Sequence, residues 1–99
     1  MYIKKIEKPE LLLSPPISQY LRCGYKILHK NEEVGEHITE NREEILVILT
    51  GTATIHCEDE THSVNAMSVV YIPPQKKHNV LNTVDSLLTY LYIVTPVQG

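Results

Sequence analysis

His37, Glu44 and His78, each at the start of a strand-like segment, have side chains of the kind that hold a divalent metal. Imidazole nitrogen and carboxylate oxygen both suit zinc, iron, manganese and nickel. Two histidines with one carboxylate leave coordination positions open, as in non-haem iron oxygenases, and three protein ligands plus water is the usual catalytic zinc arrangement. The elements that carry them therefore decide whether they meet.

From residue 24 onward, short runs rich in Val, Ile, Leu, Thr and Tyr alternate with polar turns, and helical periodicity is absent. The runs are 24–30, 34–39, 44–50, 52–58, 61–64, 68–72, 77–82 and 87–94. Such segments bury one face each and need a second sheet to cover it, which predicts an all-β antiparallel jelly-roll barrel or sandwich. A domain over 21–99 is expected to follow an N-terminal arm, 1–20, that closes its own sheet edge or pairs with a partner subunit. Tyr2 to Ile6 reads as a strand within that arm, and "SPP" (14–16) as extended chain. The segment "LTGT" (49–52) reads as a hairpin, with Gly51 free to take positive φ.

Side chains two apart on a strand share a face, so His37 and Thr39 point the same way. The "ENRE" stretch (40–43) reads as a turn that resets the alternation and places Glu44 with Leu46 and Ile48. A slip of one residue would bring in Glu43 instead. The other face carries Ile45, Val47 and Leu49 and needs a covering layer, for which a second subunit is the expectation. Pro73 and Pro74 force a turn before His78.

The 99 residues, 42 % hydrophobic and 21 % charged, fit one domain. No run approaches the roughly 18 apolar residues of a membrane helix, and the amino terminus lacks a secretory pattern, so a cytoplasmic protein is expected. Net charge is −3 and the basic residues are scattered, which offers nucleic acid no positive stripe. Cys23 and Cys57 read as free thiols.

The spacing of two segments resembles the paired motifs of the cupin family, small metal-binding jelly-roll barrels. The first motif lies over Asn31, His37, Thr39, Glu44 and Gly51, and the second over Met67, Pro73, Gln75, His78 and Asn82. Asn31, Met67 and Gln75 stand at motif glycines. Asparagine tolerates positive φ and methionine does not, so a different turn is expected near Met67. The resemblance implies a metal held by three His and one Glu; carried over residue by residue it leaves His37, Glu44 and His78, with Thr39 in place of the remaining histidine. The metal site is then either an open three-ligand centre, with Thr39 and a water completing it, or a lapsed one.

Other side chains compete for the pocket. A two-residue loop at 49–52 would set Cys57 opposite Glu44 as a thiol ligand or redox group, although packing is the simpler role. His29 alternates with Tyr25 and Ile27 and is an expected pocket residue. Tyr90 and Tyr92 share a face and could turn phenols toward the pocket, whereas His56 and His62 read as surface residues. Two functions follow from this set. One is a metal-dependent enzyme, of oxygenase or isomerase type, acting on a small molecule with Fe, Mn, Ni or Zn; the other is a non-catalytic module for a sugar- or carboxylate-like ligand. A homodimer is expected in either case.

Overall fold

Runs of β-branched and aromatic residues form nine strands and no helix in the computed structural model, which describes residues 1–97. They are β1 (Glu10–Leu13), β2 (Arg22–Leu28), β3 (His37–Ile38), β4 (Arg42–Thr50), β5 (Thr52–Cys57), β6 (Glu60–Asn65), β7 (Ser68–Ile72), β8 (Lys77–Leu81) and β9 (Leu88–Pro96). All eight expected runs contain a strand, but 34–39 retains only the two residues of β3. The strand in the N-terminal arm is β1, not Tyr2 to Ile6; residues 1–7 have no regular structure.

The strands build two antiparallel sheets, one ordered β1-β2-β9-β4-β7 and the other β3-β8-β5-β6. The sheets face each other as a sandwich whose edges do not close, so the jelly-roll architecture is present without full barrel closure. Between them pack Leu28, Leu46, Ile48, Ile55, Leu88 and Tyr90, all buried. Truncating one such side chain to alanine costs about 2–5 kcal/mol, because the loss of burial is compounded by an unfilled cavity.

The 49–52 segment is not a hairpin. β4 pairs with β7 and β9, whereas β5 pairs with β6 and β8, so Gly51 is a corner that passes the chain from one sheet to the other. Its φ is +80°, and a Cβ there would strike the Leu87 carbonyl. Glycine is required by both terms.

Positive φ also occurs at the three positions where the resemblance places glycine: Asn31 (68°), Met67 (66°) and Gln75 (59°). The expectation of a different turn at Met67 is therefore corrected. Met67 is exposed, and its amide donates to the Ile48 carbonyl, so the turn retains its geometry at a cost of about 1–2 kcal/mol for the left-handed conformation. Asn82, fully buried, ties two loops together: its Nδ2 donates to the carbonyls of Leu28 and Ser86, and its Oδ1 accepts from the Val84 amide.

Candidate metal centre

β3 and β8 pair in a register that sets His37 directly opposite His78. Their rings lie with centroids 4.0 Å apart and planes tilted by 59°. Glu44 comes from the facing sheet. Alternation along β4 turns Glu44, Leu46 and Ile48 inward, while Glu43 points outward and accepts a hydrogen bond from the Tyr71 hydroxyl. The carboxylate of the site is thus Glu44 and not Glu43. One donor atom from each of His37, Glu44 and His78 lies within 4.8 Å of the others. Two donors about 2.1 Å from a shared ion stand at most about 4.2 Å apart, so a small side-chain adjustment makes this a ligand set.

The hydrogen bonds of the two imidazoles leave one nitrogen of each free. His37 Nδ1 is 2.9 Å from the Gly35 carbonyl and His78 Nδ1 is 3.2 Å from the Lys76 carbonyl. A carbonyl can only accept, so Nδ1 carries the proton in both rings, and the Nε2 lone pairs are left for another partner. His78 is fully buried, and its Nε2 has no hydrogen-bond partner among the described residues. Glu44 Oε1 is 3.3 Å from that nitrogen, close enough for charge attraction but off the line of a hydrogen bond. An orphaned buried nitrogen is costly, and a metal ion would satisfy it. Burial works against charging His78, but the Glu44 carboxylate and the Lys76 carbonyl outweigh it and raise its pKa above the usual 6.5.

Thr39 is not in this set. Its buried hydroxyl donates to the Pro73 carbonyl (2.8 Å) and accepts from the Lys76 amide (3.1 Å). The hydrogen and one lone pair of the oxygen are thus engaged by main-chain groups of the 73–76 turn. The link from Thr39 to His78 runs through the main chain: the Thr39 amide donates to the Lys76 carbonyl (3.2 Å), the group that also accepts from His78 Nδ1, while the hydroxyl bonds the Lys76 amide.

A family model of the cupin domain matches residues 24–94. The chain belongs to the cupin family. Solved structures bear out the fold. A predicted oxalate decarboxylase from Thermotoga maritima superposes with a TM-score of 0.84 at 24 % identity, covering 90 % of this chain and 79 % of that one. An RmlC-like cupin family protein with a double-stranded β-helix fold, from Methanocaldococcus jannaschii, gives 0.83 at 18 %, covering 97 % and 91 %. A Cupin 2 conserved barrel domain protein from Salinispora arenicola gives 0.83 at 20 %, covering 98 % and 90 %. No curated protein matches the chain significantly.

In this cupin the centre opens into a cavity of about 350 Å³ between the sheets, lined by His37 and Glu44, by Tyr90 and Tyr92, and by apolar side chains such as Leu46 and Val80. Burial, reinforced by the Glu44 charge, pushes the phenol pKa of both tyrosines up, which keeps them protonated and able to donate. Gly24 lies opposite Tyr92 in the β2–β9 register, and a Cβ there would overlap the phenol ring. The missing side chain is the space that Tyr92 occupies.

Two expected pocket residues lie elsewhere. β2 ends at Leu28, and His29 beyond it is exposed, with Nδ1 3.0 Å from Glu32 Oε1. Cys57 sits opposite His78, not Glu44, because β4 and β5 do not pair. It lines a separate cavity and packs against the core; burial first, then Glu58 and Glu60, raises its thiol pKa, so it is not a ready thiolate. Asn79 escaped the sequence reading. Its Oδ1 accepts from the Gly35 amide (2.8 Å) and its Nδ2 donates to Glu33 (3.3 Å), which ties down the loop just before His37. Nothing in its spacing marks it; only the strand pairing places it beside the loop.

Proposed function

We propose that this cupin binds a divalent first-row transition metal through Nε2 of His37, Nε2 of His78 and the Glu44 carboxylate, and offers the remaining coordination positions to a small molecule in the adjoining cavity. The observation that carries this reading is the buried Nε2 of His78, without a hydrogen-bond partner, on a ring whose other nitrogen is tied to the Lys76 carbonyl. The donor set of two imidazoles and one carboxylate is one that iron, manganese, nickel and zinc accept. A metal there would supply Lewis acidity or a site for dioxygen.

The chain's own groups supply the rest. Gly35 and Lys76 carbonyls hold the imidazoles in the tautomer that leaves Nε2 unprotonated, and the Thr39 main-chain amide donates to the Lys76 carbonyl. The protonated phenols of Tyr90 and Tyr92 line the same cavity and can donate to a ligand oxygen. Turnover of oxygenase or isomerase type is the function we favour for such an open centre. Simple ligand binding is the second reading, favoured by the exposure of His37, which leaves this side of the cavity lining open to solvent.

The test is metal content by plasma mass spectrometry after purification without chelator, followed by titration with Mn(II), Fe(II), Ni(II) and Zn(II). About one ion per chain is expected, with loss in His78→Ala and a large reduction in Glu44→Gln. A wild-type protein that takes up none of the four ions would sink the proposal.

A further inference from the structure

Cations gather at this cavity in a way that the rest of the acidic chain does not repeat. The sequence has only two arginines, Arg22 and Arg42, and both line the cavity, together with Lys26. Glu44 is the one carboxylate among the lining residues, so three positive side chains stand against one negative. None of the three cations makes an ion pair among the described residues, nor do Lys8 and Lys76, whereas Lys4, Lys5, Lys30 and Lys77 each do.

The sheet register explains the placement. Arg22, Val94 and Glu44 form one row across β2, β9 and β4, so Arg22 shares the inward face with Glu44. The two lie two strands apart, about 9–10 Å between backbones, which leaves space between them for a ligand. Arg42 is two residues from Glu44 on β4 and shares its face; it lies opposite Pro96, one step nearer the rim. Lys26 lies opposite Tyr90, deeper on β2, and its Nζ is 5.8 Å from the Tyr92 ring centroid. Arg22 and Arg42 are exposed at the cavity rim and Lys26 is half-buried, so the guanidinium groups are within reach of a ligand entering from solvent.

We infer that the cavity takes a small carboxylate anion, with one end at the metal positions and the other on the guanidinium groups of Arg22 and Arg42. This rests on the metal reading above for the first end and on the cations alone for the second. A guanidinium presents paired N–H donors in the spacing of a carboxylate, which favours that group over a neutral amide or hydroxyl. A volume of about 350 Å³ sits at the small end of ligand pockets, so the anion is a compact one. Tyr92, seated over Gly24 between Arg22 and Lys26, adds a phenol donor on the same wall.

Isothermal titration of the full chain, loaded with Mn(II) and then metal-free, would use malonate, its neutral counterpart malonamide, and inorganic phosphate at fixed ionic strength. Malonate is expected to bind at least tenfold more tightly than malonamide. Arg22→Gln and Arg42→Gln should each weaken malonate by roughly ten- to a hundredfold, the worth of a charge-assisted hydrogen bond, with metal content unchanged. Lys26→Met provides an independent third variant. Equal binding of malonate and malonamide, or arginine variants that bind malonate like wild type, would reduce the arginines to solvated rim charges and overturn the inference. Phosphate bound more tightly than malonate would overturn the carboxylate assignment. Metal-loaded protein indifferent to malonate would leave the metal centre standing. Arginine-dependent malonate binding by a protein that takes up no metal would do the reverse.

Discussion

Replacing Thr39 with valine keeps the shape of the side chain and removes its oxygen. Two groups then lose their partner: the Pro73 carbonyl, which accepts at 2.8 Å, and the Lys76 amide, which donates at 3.1 Å. Each buried group left unsatisfied costs about 1–3 kcal/mol, and because Pro73 and Lys76 are only half-buried the low end applies, giving about 2 kcal/mol in total. In a domain of this size that lowers Tm by roughly 8–16 °C. The Lys76 carbonyl that accepts from His78 Nδ1 is held by the Thr39 main-chain amide, which valine keeps, so metal binding should weaken by less than about tenfold. Thr39→Ser retains the oxygen and should restore both quantities in large part. The assays are thermal unfolding by circular dichroism on metal-free protein and competitive Zn(II) titration with a chromophoric chelator. An unchanged Tm in Thr39→Val with abolished metal binding would make Thr39 a direct ligand and refute the reasoning, as would a serine variant no better than valine.

Other predictions follow from the same geometry. The pKa of His78 is raised in the folded protein, so its charged form contributes stability that is fully present below pH 6.5 and is lost as the pH climbs through the folded value. The metal-free Tm should therefore fall over that rise, and His78→Gln should flatten the dependence; metal affinity should increase over the same window, because the ion and the proton compete for Nε2. Gly24→Ala should force the Tyr92 ring off β2 into the cavity, weakening malonate binding more than metal binding, and Tyr92→Leu should relieve the strain as read by Tm. Finally, we propose that a second copy covers the outer face of the larger sheet, where the rows Tyr25–Leu91–Val47–Val69 and Cys23–Ile93–Ile45–Tyr71 run across four strands. Light scattering at micromolar concentration should give a dimer that Val69→Glu converts to a monomer; a monomeric wild type would refute this.

The candidate ligand types and their strand positions are legible in the sequence because they depend on short-range facts. Two-residue alternation fixes which side chains share a face, and the intervals from His37 to Glu44 and from Pro73 to His78 fix where each new strand begins. Positive φ at Met67 ran against the local preference: the bond from its amide to the Ile48 carbonyl, together with the pairing of β4 with β7, imposes a turn that the residue itself disfavours. His29 and Cys57 were misplaced because a strand's end and its partners are set by long-range pairing, not by its own pattern.

The sequence by itself determined the all-β architecture and the inward set of β4, since side-chain periodicity and turn chemistry are local, and its resemblance to the cupin motifs singled out His37, Glu44 and His78. Only the tertiary structure decided that Gly51 is a corner between sheets, that the Thr39 hydroxyl bridges the Pro73 carbonyl and the Lys76 amide, and that both arginines line the cavity beside His37 and Glu44. Those facts depend on which strands lie side by side and which carbonyl each polar hydrogen finds, and neither is written in the spacing of one strand.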